Sequence, residues 1–262
     1  MDLQLTGKVA LVTAASKGLG KAAARQFALE GANVAICSRS ELVQETARQI
    51  TQECGAEVLA VEADMRSQKA IDRLVRLTIE RFGRIDILII NAGGPPAGRF
   101  LDLTPDDWSK AIELTVMSAV RLGYAVVPYM LEIGSGSIVA IESISIKQPI
   151  DNLILSNSLR LAVIGMLKSM ANELGPKGIR VNSINPTFTW TERVEHLLAD
   201  RVEKNDSTIE EEMAKAAAEI PLGRMGSTDE FGQAVAWLAS PAASYIHGHA
   251  LMFDGGMTSS PL

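Results

Sequence analysis

The sequence predicts an α/β fold: a single doubly wound domain over residues 1–262, with a mostly parallel sheet of seven strands and helices on both faces. Three observations carry this. Short apolar runs alternate with longer helical patterns along the whole chain. The run Asp86–Ile90 (DILII) is continuously apolar, as a strand covered on both faces should be. The first run, Val9–Val12, passes through small residues into a helical stripe at Leu19, Ala23 and Phe27. At 262 residues and 47% apolar, the chain can fill one sizeable core.

The elements follow in order. Asn33–Ser38 (NVAICS) reads as the second strand, with helix to about Glu53 and a strand at Glu57–Glu62. Ile71, Leu74, Val75, Thr78, Ile79 and Phe82 form a helical stripe before the strand Asp86–Ile90. Gly94-Pro95-Pro96-Ala97-Gly98 makes a stiff loop that cannot be helix. Two long helices, Pro105–Glu132 and Asn152–Gly175, flank the strand Ser137–Glu142. Both are apolar nearly all round, which predicts burial on both sides and a second subunit as the partner. Pro128 should kink the first of them. Ile179–Ile184 is a strand, and Thr191–Glu219 is charged and helical. An insertion there, after a strand's carboxyl end, suits a helical substrate lid at about 188–220. Phe231, Ala234, Val235 and Leu238 mark one more helix, and Leu251-Met252-Phe253 the last strand.

Composition narrows the class. A formal charge of −6 argues against a nucleic-acid footprint. Two cysteines, Cys37 and Cys54, suit a reduced, cytoplasmic protein. MDLQLTGK has no basic n-region or long apolar run, so no signal peptide is expected, and no uninterrupted apolar segment reaches membrane-spanning length.

The stretch VALVTAASKGLG, Val9–Gly20, is the candidate ligand site. A strand, a glycine-containing turn and a helix start leave backbone N–H groups and a helix dipole facing an anion, although the strict G-x-G-x-x-G spacing is absent. At the end of the second strand, where an acid would meet a ribose 2′-hydroxyl, stand Ser38 and Arg39, with Lys17 in the first loop. Two cations there suit NADP(H) better than NAD(H).

T-A-A-S-K-G-L-G resembles the T-G-x-x-x-G-x-G loop of the short-chain dehydrogenase/reductase family, with Ala14 at the first glycine, a departure that costs the reading little. Asn91-Ala92-Gly93 resembles the family's N-N-A-G, with Ile90 for the first Asn. Pro186 resembles the proline of its P-G motif, and the ending ASYIHGHALMFDGGM its C-terminal segment. The resemblance, to 3-oxoacyl-ACP-reductase-like members, spans almost the whole chain. It implies a Rossmann-type fold and a homo-oligomer, most simply a tetramer. It also implies cofactor contacts from Thr13, Ser16, Lys17, Gly18, Leu19, Gly20, Ser38, Arg39, Asp64, Met65, Asn91, Ala92, Gly93, Arg160, Pro186 and Thr191, with Asp64 at the adenine edge and Thr191 near the nicotinamide.

Against the family's catalytic Asn, Ser, Tyr and Lys, only the serine is kept, as Ser143. Ser156 stands at the tyrosine place, Arg160 at the lysine place and Thr115 at the asparagine place, while NSLRLAVIG still matches the family's K-A-A-V-x-G helix. A serine ionises far less readily than a tyrosine, and arginine is a poor proton carrier. Lys147, in Ser143-Ile144-Ser145-Ile146-Lys147, is a candidate substitute proton source. Tyr124, Tyr129 and Tyr245 occupy no obvious replacement position, and His247 reads as structural or interfacial. No metal site is assigned. Two functions remain: an NADP(H)-dependent oxidoreductase of a carbonyl or secondary alcohol with an atypical proton donor, or an oligomeric NADP(H)-binding protein, a sensor or partner, without hydride transfer. The small-molecule substrate stays open.

Overall fold

A computed structural model describes residues 1–260, leaving aside the side chains of His196, Asp200, Arg201 and Lys204. Val9–Val12 is strand β1, buried at every position. Then follow α1 (Gly18–Leu29), β2 (Asn33–Ser38), α2 (Leu42–Cys54), β3 (Val58–Glu62), α3 (Gln68–Phe82), β4 (Ile87–Ile90), α4 (Pro105–Ile112) and α5 (Ser118–Ile133). β5 (Gly136–Ile141), α6 (Ile154–Leu174), β6 (Ile179–Pro186), α7 (Glu192–Asn205), α8 (Ile209–Ala218), α9 (Thr228–Ala239) and β7 (Ala250–Phe253) complete the chain.

The strands pair in parallel in the order β3-β2-β1-β4-β5-β6-β7, a Rossmann-type sheet. The order reverses between β1 and β4, and a crevice opens there outside the carboxyl ends of the strands. Alternate residues of each strand feed two cores. Ala10 and Val12 pack with Phe27 of α1, Ile50 of α2 and Phe231 of α9. Leu11 packs on the other face with Leu74 of α3, Leu122 of α5 and Val163 of α6.

The stretch predicted as one helix is helical from Pro105 to Ile133, with Pro128 inside α5. Its hydrogen bonding changes earlier, in a π turn at Glu113–Met117. In the single chain α6 buries Leu155, Leu159, Val163, Leu167 and Ala171 but leaves Leu161 49% exposed, and α5 leaves Tyr124 80% exposed, so each long helix keeps an outer face uncovered by the chain itself. Pro105–Ile133, at 29 residues with an 18-residue window of mean hydropathy 1.4, is long and apolar enough to cross a membrane by length and composition alone, although Arg121 interrupts it. Here its inner face, with Ala119, Leu122, Val126 and Met130, is buried in the core.

The insertion leaves and returns at one place. Trp190 N–H donates to Gly226 O (2.9 Å) and Gly226 N–H to Phe188 O (3.1 Å), so α7 and α8 hang from a closed neck beside the ends of the strands.

Candidate active site

The first loop is built on Thr13. Its hydroxyl donates to Asn91 O (2.7 Å) and accepts from Asn91 N–H (2.9 Å), tying the end of β1 to the end of β4. Ala14 then takes φ +49°, and Gly18 φ +57°. A left-handed alanine costs about 1–2 kcal/mol, so the alanine at the family's glycine position is borne as backbone strain. α1 begins with no side-chain cap and no acid in its first turn. By contrast α3, α4, α8 and α9 are closed by Ser67, Thr104, Thr208 and Ser227. The N–H groups and dipole at the start of α1 are thus left for an anion.

That helix end opens on a cleft of about 1040 Å³, at the upper end of the range of small-molecule clefts (roughly 300–1,000 Å³). Ser16, Lys17, Gly18, Leu19, Ser38 and Arg39 line one end, with Asp64 and Met65. Asn91, Ala92 and Gly93 form the floor, and a Cβ on Gly93 would meet nothing within 4 Å. Ser143, Ser156, Arg160, Pro186 and Thr191 line the other end.

Three predicted residues do not line it. Thr13 spends its hydroxyl on β4, as described. Gly20 faces inward, where a Cβ would collide with Ala14 O and Asn91 Nδ2, so it packs α1 against the loop. Lys147 is exposed at the end of the short 3₁₀ turn Ile144–Ile146 and is not on the wall. Among the cations, Lys17 Nζ is paired across the cleft with Glu192 Oε2 of α7 (2.8 Å), while Arg39 is exposed and, among the described residues, forms no ion pair. Arg66 grips the Asp64 carboxylate (2.7 Å) and holds it below its usual range. His247 is structural: Val181 N–H donates to its Nδ1 (3.2 Å), so Nε2 donates to Ala171 O (2.8 Å).

At the reactive end Ser143 Oγ accepts the Ser145 N–H (3.2 Å). Ser145 Oγ and Ser156 Oγ stand 3.3 Å apart, buried. Arg160 Nε–H donates to Ser156 Oγ (3.1 Å) and Nη1 to Glu142 Oε2 (2.9 Å), an ion pair almost wholly out of water. Burial pushes the Glu142 carboxyl up, with Arg160 opposing. Thr115 lies on the π turn, its Oγ1 buried and without a hydrogen-bond partner among the described residues.

Glu142 and Arg193 were not singled out from the sequence. A carboxylate beside Ser143 at the end of an apolar strand, with arginine replacing lysine farther on, was the available signal for Glu142. Arg193 gave none; its guanidinium lies where a side chain on Gly94 would be. Burial chiefly, and then the charge of Arg160, lower its pKa.

Fold and cleft together are those of a dinucleotide-type α/β protein, and the comparisons narrow that class. The family profile described as Enoyl-(Acyl carrier protein) reductase matches residues 13–258. Oxidoreductase UcpA of Salmonella typhimurium is 35% identical over 256 residues, covering 97% of this chain and 96% of that one. The 7α-hydroxysteroid dehydrogenase of Escherichia coli is 31% identical over 258 residues, with the same coverage. L-Sorbose reductase from Gluconobacter frateurii, solved with NADPH and L-sorbose, superposes with TM-score 0.95 at 32% identity, over 99% of this chain and 100% of that one. The chain belongs to the short-chain dehydrogenase/reductase family.

Proposed function

We propose that this protein is an NADP(H)-dependent oxidoreductase acting on a carbonyl or secondary alcohol. The observation that carries it is the uncapped start of α1 opening on the same cleft as Ser143. Backbone N–H groups at Ser16–Leu19 would hold the diphosphate, with Gly93 giving close approach, and Arg39 would meet the 2′-phosphate. With Lys17 engaged by Glu192, Arg39 carries most of that preference. The NADPH in L-sorbose reductase supports this cofactor, although a 7α-hydroxysteroid dehydrogenase was solved with NADH. A bound nicotinamide supplies or accepts the hydride.

The chain's own residues manage the proton. Ser143 Oγ already accepts a hydrogen bond, so its proton is available to polarise the substrate oxygen. Ser156 accepts from Arg160, which leaves its own proton for Ser145 or the substrate. The proton path is therefore by way of hydroxyls rather than an ionising phenol. α7 and α8 act as the lid. The exposed faces of α5 and α6, with Tyr124 and Leu161, form the contacts of a cytoplasmic homo-oligomer, most simply a tetramer, checked by light scattering.

A second reading, an NADP(H)-binding protein without turnover, is favoured by one fact: among the described residues no tyrosine lines the cleft, and Arg160 is locked to Glu142. Hydride transfer from NADPH to a panel of ketones separates the two, measured on the natural protein and on Ser156→Tyr with Arg160→Lys. Turnover by the natural protein supports the enzyme. Turnover only by the double variant supports the binding protein.

A further inference from the structure

Arg193 is the unusual cation of the cleft. It lies in the first turn of α7, and its guanidinium rests against the bare backbone of Gly94, just past Asn91-Ala92-Gly93. The residue as a whole is exposed, while its guanidinium packs against Gly94, and burial chiefly, then the charge of Arg160, lower its pKa. Among the described residues no carboxylate forms an ion pair with it. Glu142 is held by Arg160, Asp64 by Arg66 and Glu192 by Lys17; Asp151 and Glu219, also on the wall, form no ion pair with it. Exposed Arg48, Arg76 and Arg224 are paired with glutamates, whereas Arg39, at the other end of the cleft, shares with Arg193 the lack of an ion pair among the described residues. A guanidinium laid against bare backbone on the wall of the cleft, with no acid beside it among the described residues, keeps its donors for an anion that enters the cleft.

We infer that Arg193 is a specificity-determining residue that receives a carboxylate on the substrate, so that the preferred substrate is an oxo or hydroxy acid rather than a neutral ketone or alcohol. The planar fork of a guanidinium matches a carboxylate with two parallel hydrogen bonds. Because Arg193 sits on the lid helix, the acid would draw α7 towards Ser143, and recognition would be coupled to closure. The inference rests on the reading of this cleft as a substrate site. The same guanidinium chemistry would suit a cofactor phosphate, so the test separates the two anions.

Benzoylformate and its methyl ester share a skeleton and differ in charge. Each is titrated calorimetrically into the protein saturated with NADP⁺, so no turnover is needed. The acid is expected to bind at least tenfold more tightly than the ester. Arg193→Gln should erase that ratio, a loss of roughly 10- to 100-fold for the acid alone, and Arg193→Lys should restore part of it. NADPH affinity should not change in either variant. Equal binding of acid and ester by the natural protein, or binding of neither, overturns the inference. So does an Arg193→Gln variant that keeps the acid-to-ester ratio but loses NADPH affinity, which assigns the anion to the cofactor. Failure of the oxidoreductase reading is read separately, as absent NADPH binding or absent hydride transfer, and neither enters the ratio.

Discussion

The two ends of the cleft are made of different material. At the start of α1 the recognition elements are backbone N–H groups on a loop tied down by Thr13, with no acid and no cap. At the Ser143 end they are side chains drawn from distant segments, with Glu142 and Arg160 locked together out of water. At the first end the groups facing the cleft are largely backbone, and the side chains that matter, Thr13 and the bare Gly20, hold the loop from behind, with Arg39 added at the edge. At the second end each group is fixed by another.

Substitutions can break or sharpen this contrast. The largest effect is expected from Glu142→Ala, which strands Arg160 as a buried, unpaired charge. It should cost about 3–5 kcal/mol in urea unfolding; a loss below about 1 kcal/mol would mean the pair is solvated. Ser143→Ala should lower kcat about 10²–10³-fold with KM little changed, as loss of an oxyanion donor does. A change confined to KM would remove Ser143 from the chemistry. Arg39→Ala should weaken NADPH about tenfold in a fluorescence titration and leave NADH unaltered, with Lys17→Ala smaller because Glu192 holds that ammonium. An equal loss of both cofactors would deny the 2′-phosphate contact. The smallest effect is Ala14→Gly, which relieves the left-handed alanine and should stabilise the fold by about 0.5–1 kcal/mol in thermal melts. A destabilised variant would show that the Ala14 methyl packs usefully.

The same contrast explains what was legible in the sequence. Strands β1 to β7 and the loop before α1 announce themselves through local pattern, because burial on both faces and small residues at a turn are properties of adjacent positions. The Ser143 end is non-local. Arg160 meets Glu142 only because β5 and α6 lie side by side, and Arg193 reaches Gly94 only because α7 hangs over β4. Lys147, next to the right residues in sequence, ends exposed because the turn Ile144–Ile146 points it away from the wall. Thr13 and Gly20 belong to the motif yet serve the loop from behind.

The π turn at Glu113–Met117 has a consequence for insertions and deletions. A turn closed by i→i+5 bonds holds one residue more than an α-helical turn. Removing one residue there lets the segment relax to plain α-helix, with α4 and α5 still presenting the same faces to the sheet. Removing one residue inside α5 would instead turn every later side chain by about 100° and swing Val126 and Met130 out of the core. The stretch Pro105–Ile133 therefore has one place where its length is adjustable, and that place is where Thr115 stands.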